Sequence, residues 1–386
     1  MSNVLVKEIY SKIPIFLNPE DSLTKFFSVM EEYHVHEAFV VKNKKVLGMI
    51  SYKDIIRKVS SDPSITKISS FVSIKPPVID VNASVDDAAR ALFQSGLRRI
   101  PVLEKNNIIG SISISDIVAA LSGSKLFRQT TLSTIATNPI TVTPDTSIAN
   151  ARMIMRENSI SHLPICEKGK IVGMVTSFDF LKVVKPHEKV GFWSMAAKLE
   201  QMLSIPVSTI MNTLPLIMSP AASISEAISE MNNKNVSYVL LEDEGKISGI
   251  VTMKDIFELY AANLSKEGVY LQITGMGNED EFDRATVDRM VNDTISKLSK
   301  IFKVQSVVMH IKKHGEFEPI PKRVKYSVRI RLHSSVGTHS TYAVAWSLLD
   351  AVGQALDKLE KTVIEFKHTL ITKQRKNQKK MKGGFV

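Results

Sequence analysis

The sequence predicts a mixed α/β (α+β) protein: four tandem β-α-β-β-α repeats in two pairs, then a C-terminal β-α-β-β-β-α domain. Three observations carry this. A fixed spacing returns four times, with a Gly after an apolar run, a Ser or Thr three residues on and an Asp three beyond that. The copies run Gly48–Ser51–Asp54, Gly110–Ser113–Asp116, Gly173–Thr176–Asp179 and Gly249–Thr252–Asp255. Their Asp positions step by 62, 63 and 76 residues, and a period of this size marks repeated modules. Within each period the apolar pattern changes from a repeat of two to one of about 3.6. Finally, the pattern stops after Ala262, and the charge changes at the same place. Residues 1–262 carry 28 Lys/Arg and 26 Asp/Glu, residues 263–386 carry 22 and 13, so +9 of the net +11 lies in the last third.

Each repeat reads in one order. In the third, an extended lead-in covers Ile140–Ser147 and a helix follows from Ile148 to Asn158, apolar at Ile148, Ala151, Met153, Ile154 and Met155. Asp145 to Ser147 offer capping oxygens for it. A short strand Leu163–Cys166, a Lys/Gly turn and a second strand Ile171–Val175 lead to a helix opened by Thr176. The extra length between repeats three and four falls near 182–203, where Phe192, Met195, Ala196, Leu199 and Met202 recur at helical spacing and predict an amphipathic connecting helix.

These units resemble cystathionine-β-synthase-type (CBS) domains, which pair in tandem. The family pattern Gly-apolar-apolar-Ser/Thr-x-x-Asp stands in all four repeats. Repeats two and three also carry its strand Pro, in Arg98-Arg99-Ile100-Pro101-Val102 and Ser161-His162-Leu163-Pro164-Ile165. Repeats one and four lack that Pro, at Glu37–Val40 and Ser237–Leu240. The resemblance implies one CBS pair over residues 1–123 and a second over 124–262.

The Ser/Thr-x-x-Asp pattern has two explanations. In the family the Asp accepts hydrogen bonds from the ribose hydroxyls of an adenine nucleotide. The Ser/Thr meets ribose or phosphate at a helix N-terminus, where free N–H groups favour an anion. The resemblance therefore implies AMP, ADP or ATP as a regulatory ligand held by Ser51, Asp54, Ser113, Asp116, Thr176, Asp179, Thr252 and Asp255. Arg99 and His162 stand beside the Pro strand, near where the family's phosphates sit. The same spacing is also a helix capping box, which would recur wherever the helix starts. There is no Gly-x-x-x-x-Gly-Lys-Ser/Thr loop and no kinase motif set, so a nucleotide would be sensed rather than consumed. No Cys/His cluster has zinc spacing, and no metal is expected.

In the last third, Val269–Met276 reads as a strand ending at Gly. An acidic start, Asn278 to Asp283, opens a helix to about Phe302 with Lys297, Lys300 and Lys303 at its end, which suits the helix dipole. Strands follow at Val304–Lys312, Lys325–His333 and Ser340–Trp346, then a helix from about Leu348 to Lys367. Through Ile273-Thr274-Gly275-Met276, Ile295–Phe302 and Leu356–Lys361, residues 263–372 resemble the ribosome hibernation promoting factor (σ54-modulation) family. That family occupies the decoding channel of the small ribosomal subunit, mostly through Lys/Arg contacts to phosphate, which position without reading sequence. The implied rRNA contacts are Lys297, Lys300, Lys303, Lys325, Arg329, Arg331, Lys358, Lys361 and Lys367. The spacing of two puts Arg329 and Arg331 on one sheet face. A solvent-facing sheet side would give the same pattern. The segment 373–386, with Lys373, Arg375, Lys376, Lys379 and Lys380, predicts a disordered basic tail that orders on rRNA.

Together these readings imply a non-enzymatic, cytoplasmic ribosome-binding protein acting in translational regulation and stress response. Its CBS domains would sense adenine nucleotides or extend the ribosome contact, and its partner would be the small subunit or both subunits, with no membrane partner and with a homodimer through the CBS modules left open. Two alternatives stand beside it: a CBS-regulated nucleic-acid-binding regulator of transcription, and a CBS regulatory subunit of an enzyme. The first needs a base-reading helix and no helix-turn-helix pattern is visible. The second needs a catalytic constellation, and His310, His314, His333 and His339 pair with no obvious nucleophile. No run reaches the ~18 apolar residues of a membrane helix. Met1–Glu8 has neither a basic start nor an apolar stretch, which predicts no secretory signal. A single cysteine, Cys166, fits a reducing compartment.

Overall fold

The computed structural model describes residues 4–382 apart from 13–14, 34, 36, 52–63, 73–74, 159, 185–202, 265–268, 277–280, 315–323 and 335–336. The chain divides into two compact units. The first holds repeats one and two together with Ile256–Leu264; the second holds repeats three and four up to Asp255 together with the C-terminal domain.

In the first unit, a short helix α1 (Val6–Ile9) precedes β1 (Phe16–Leu17), α2 (Leu23–Tyr33), β2 (Glu37–Lys42) and β3 (Lys45–Ser51). Repeat two gives β4 (Ile79–Asp80), α3 (Val85–Ser95), β5 (Arg99–Glu104), β6 (Asn107–Ser113), α4 (Ile114–Ala120) and α5 (Lys125–Gln129). Each sheet joins a parallel lead-in strand to an antiparallel hairpin. The α3 helix shows why the local sequence folds so. Ser84 caps it by accepting from the Asp87 N–H, and Gly96 closes it at φ 67°, a conformation that costs glycine little. Leu23, Phe26 and Met30 of α2 bury against Ala38, Val40 and Ile50. The far end of the fourth repeat's second helix completes this unit: Tyr260 donates to Asp86, and its ring meets Phe127 edge-on at 6.3 Å.

In the second unit, repeat three gives α6 (Ile148–Glu157), β7 (His162–Glu167), β8 (Lys170–Thr176) and α7 (Ser177–Val184). Repeat four gives β9 (Ile217–Met218), α8 (Ile224–Asn233), β10 (Tyr238–Asp243), β11 (Lys246–Thr252) and α9 (Met253–Asn263). The expected connecting helix near 182–203 falls almost entirely outside the described residues.

Within each pair, the repeats are stitched by the same bridges. Leu5↔Ser84, Ser11↔Ser111 and Ser22↔Lys67 in the first pair recur as Thr131↔Ser223, Thr137↔Ile250 and Ser147↔Pro206 in the second. This explains the recurrent glycine. A Cβ on Gly110 would lie 2.4 Å from the Ser11 carbonyl oxygen, because the lead-in of repeat one pairs directly across that position.

The C-terminal domain has the expected order: β12 (Tyr270–Thr274), α10 (Glu281–Ser299), β13 (Val304–His314), β14 (Lys325–Ser334), β15 (Gly337–Ala345) and α11 (Leu348–Lys382). Its sheet runs β12-β13-β14-β15, with only β12–β13 parallel. Val328, Ile330 and Leu332 of β14 face a core shared with Val287, Val291 and Leu298 of α10 and Ala351, Val352 and Leu359 of α11. Gly275, at φ +89°, ends β12 where a Cβ would collide with the Ile311 carbonyl. The helix α11 continues to Lys382, so the backbone is helical where a disordered tail was expected from 373. The segment holds good helix formers and reaches no Gly or Pro before Gly383, and its cations sit at the favourable C-terminal end of the dipole.

Candidate functional site

The three described Ser/Thr–Asp pairs share one geometry. Ser113 donates through its N–H (2.8 Å) and its hydroxyl (2.7 Å) to Oδ2 of Asp116. Thr176 does the same to Asp179 at 2.8 Å and 2.8 Å, and Thr252 to Asp255 at 2.7 Å and 2.7 Å. In repeats two and four the Asp N–H donates back to the hydroxyl, at 3.2 Å and 3.4 Å. The helix cap is thus real, and it uses one carboxylate oxygen. The cap and the ligand readings are compatible, because the cap takes only Oδ2 of each carboxylate. Ser51 is half-buried at the end of β3, and Asp54 lies outside the described residues.

The surroundings differ between repeats. In repeat two Asp116 keeps 26% of its side-chain surface, and Arg99 places Nη1 4.0 Å from it and donates to Ser111 Oγ at 3.0 Å. In repeat three His162 sits opposite Thr176 in the β7–β8 ladder. Its Nε2 lies 3.0 Å from Ser237 Oγ of repeat four, and its ring stands 5.4 Å from that of Tyr238. Burial pushes the Tyr238 phenol up to about 12, so it stays a neutral donor. In repeat four Asp255 is 2% exposed and its Oδ1 accepts from Arg331 of β14.

That ion pair changes the reading of the C-terminal sheet. Arg329 and Arg331 do share the face opposite the core, but the face is not open to solvent. It lies against the second CBS pair: Thr338 donates to the Thr134 carbonyl at 3.2 Å, Tyr342 to the Glu157 carbonyl at 3.1 Å, and Lys312 to the Arg156 carbonyl. Burial and the neighbouring Arg331 bring Arg329 down to about 10. The expected rRNA contacts at Arg329 and Arg331 are therefore half-buried here, Arg331 against Asp255 of the repeat and Arg329 against the Tyr342 ring. His314 lies 2.8 Å from Ser327 Oγ, but Ser327 is 3% exposed and shut inside the same layer.

The other candidates lie elsewhere on the domain. Lys297, Lys300, Lys303, Lys325, Lys358 and Lys361 are exposed and Lys367 is half-buried. Lys297 pairs with Glu360 at 3.4 Å, and Lys358 donates to the Tyr342 carbonyl at 3.0 Å. Lys373, Arg375, Lys376, Lys379 and Lys380 share the end of α11. Beside Lys325, whose ammonium is 5.5 Å from its ring centre, Trp346 is 60% exposed. An exposed aromatic beside a cation has the chemistry of a stacking surface, which a basic-residue search overlooks, and a lone aromatic after a basic strand is the signal that would find it.

Among the described residues no group of three His, Cys, Asp or Glu could hold a metal, and no helix is long and apolar enough to cross a membrane. Burial pushes the Cys166 thiol up, as suits a packing residue.

Paired strand–helix repeats with capped Ser/Thr–Asp corners, joined to a basic four-stranded domain, define a tandem-repeat protein with a separate C-terminal α/β domain. The chain belongs to the CBS domain family, matched at residues 6–61, 68–123, 132–186 and 207–262, and its residues 270–382 match the C-terminal domain of the hibernation factor Hib. It is similar to the uncharacterized protein MJ1404 of Methanocaldococcus jannaschii, 29% identical over 329 residues that cover 83% of this chain and 77% of that one. It is also similar to protein MJ1225 of the same organism, 21% identical over 282 residues that cover 67% of this chain and 99% of that one. The crystal structure of MJ1225, described as a putative archaeal homolog of g-AMPK, superposes with a TM-score of 0.58 and supports the repeat fold.

Proposed function

We propose that this chain is a non-enzymatic, cytoplasmic hibernation factor that binds the ribosome, with its C-terminal domain in the small-subunit mRNA/tRNA path. Its CBS repeats bind an adenine nucleotide and tie that occupancy to the cell's energy state. The observation that carries the reading is the match of residues 270–382 to the Hib C-terminal domain, in the part of the chain that holds most of the net positive charge. A basic domain of this kind binds polyanions through phosphate contacts. The exposed lysines of α10 and α11 and the uncovered Trp346 supply cations and a stacking face. For the nucleotide, the support is the Asp116 corner with Arg99 beside it, and the Asp179 corner with His162.

Sedimentation through a sucrose gradient tests it. Purified full-length protein mixed with ribosomes at low salt should travel with small subunits or whole ribosomes, and should inhibit a cell-free translation extract. Protein that stays at the top of the gradient sinks the reading.

A further inference from the structure

The corner of the fourth repeat is filled from within the chain. Asp255 is 2% exposed where Asp116 keeps 26%. Its Oδ2 takes both Thr252 donors, and its Oδ1 takes the Arg331 guanidinium. Contacts on repeat three hold the same sheet face in place. Tyr342 and Lys312 donate to the Glu157 and Arg156 carbonyls at the C-terminal end of α6, the end of a helix that favours a cation. Beside Arg331, the Arg329 guanidinium stacks 5.6 Å from the Tyr342 ring centre. Two guanidiniums lie half-buried side by side, and the fourth repeat supplies a carboxylate to one of them, Arg331.

We infer that the polar face of the C-terminal sheet is an interaction surface whose resident partner is the fourth repeat's nucleotide corner, so that a nucleotide there and the docked domain exclude each other. This rests on reading the repeats as nucleotide binders and goes beyond it. A ribose needs the same Oδ1 that Arg331 holds. A nucleotide that binds only the undocked state draws the chain toward that state by its differential affinity. Until then its apparent affinity is lowered by the undocked fraction. Undocking also bares Arg329 and Arg331 for phosphate, so occupancy of the repeat and availability of the basic face rise together.

The test uses the full chain, titrated calorimetrically with AMP, ADP and ATP. Arg331→Gln removes the internal competitor. A second variant carries Thr134→Cys and Thr338→Cys in a Cys166→Ser background, joined by a short bismaleimide, and holds the domain docked. Expected are binding to Arg331→Gln tighter by about tenfold or more, as a mostly docked wild type requires, and loss of that binding on crosslinking. The inference is overturned if Arg331→Gln and wild type give the same isotherm, or if the crosslinked and uncrosslinked forms bind alike. Nucleotide binding that Asp179→Ala abolishes but Arg331→Gln leaves unchanged would keep the nucleotide reading and remove this one. No heat from any variant would remove both. Ribosome sedimentation of the wild type is read separately from all three.

Discussion

Arg331 on β14 and Asp255 at the start of α9 stand 76 residues apart and form one ion pair, with Asp255 almost fully buried. Each fits a different ligand by its chemistry: the guanidinium an RNA phosphate, the carboxylate a ribose. Their meeting joins the C-terminal domain to the second CBS pair.

Removing the carboxylate tests the energetics of that pair. Asp255→Ala deletes a cap, about 1 kcal/mol, and removes the carboxylate that half-buried Arg331 pairs with, for a total of about 3 kcal/mol. Asp116→Ala loses the same cap at an open corner and should cost about 1 kcal/mol. Urea unfolding of the two full-length variants compares them directly. Equal losses would mean that the ion pair contributes nothing measurable.

Glycine positions should divide by what surrounds them. Gly110→Ala forces a methyl against the Ser11 carbonyl and the Tyr10 ring, an overpacking that costs about 1–3 kcal/mol. Gly249→Ala meets the Ala136 methyl at 3.0 Å, a contact that a small shift relieves. Gly275→Ala adds a left-handed backbone to a backbone clash and should be the worst of the three. Melting temperatures that fall in any other order would separate the recurrent glycine from the bridge pattern.

The period of the repeats, their pairing and the order of the C-terminal domain were legible in the sequence, because each rests on local spacing. Tyr326, Val328, Ile330 and Leu332 already alternate, and the core uses that alternation. The docking was not legible. Arg329 and Arg331 read as rRNA contacts, or as a solvent-facing side, because a cation in a strand is normally exposed, and nothing local says that a carboxylate 76 residues earlier meets Arg331. The end of α9 was hidden for the same reason: Tyr260 reads as repeat four but packs with Asp86 and Phe127. The tail read as disordered from its charge, while its helix formers continue α11 without a break.

Acid should loosen the C-terminal domain. Burial holds His339 neutral and lowers its pKa below the ordinary value. The unfolded chain takes up that proton near pH 6.5 and the folded chain does so only at lower pH. Stability from this group is therefore present above pH 6.5 and is lost as pH falls from there toward the folded value, by at most about 1.4 kcal/mol per pH unit. His314 shifts the same way, chiefly by burial. His339→Phe, beside Phe366 at 5.0 Å, should flatten part of the profile below pH 6.5. An unchanged slope would show that His339 is not part of it.

Salt should report which lysines touch RNA. Replacing Lys297, Lys300 and Lys303 with Ala in the full chain removes the three phosphate contacts expected of them. The slope of log affinity for ribosomes against log salt should become shallower by about two to three. Affinity lost with an unchanged slope would mean that these lysines act through folding or through partners such as Glu360.

The second pair's other corner gives the cleanest nucleotide test. Asp179 lies in repeat three, capped by Thr176 and close to His162. A ribose contact to a charged carboxylate is worth about 1.5–3 kcal/mol, so Asp179→Ala should weaken AMP, ADP or ATP by roughly ten- to a hundred-fold. The lost cap costs about 1 kcal/mol of stability, and Asp179→Asn separates the two effects. An amide still accepts from the Thr176 N–H and hydroxyl, so the helix start survives, while the charge that favours the ribose hydroxyls is gone. The expected pattern is a near-normal melting temperature with a weakened titration. Asparagine that binds nucleotide like the wild type would leave Asp179 as a cap alone.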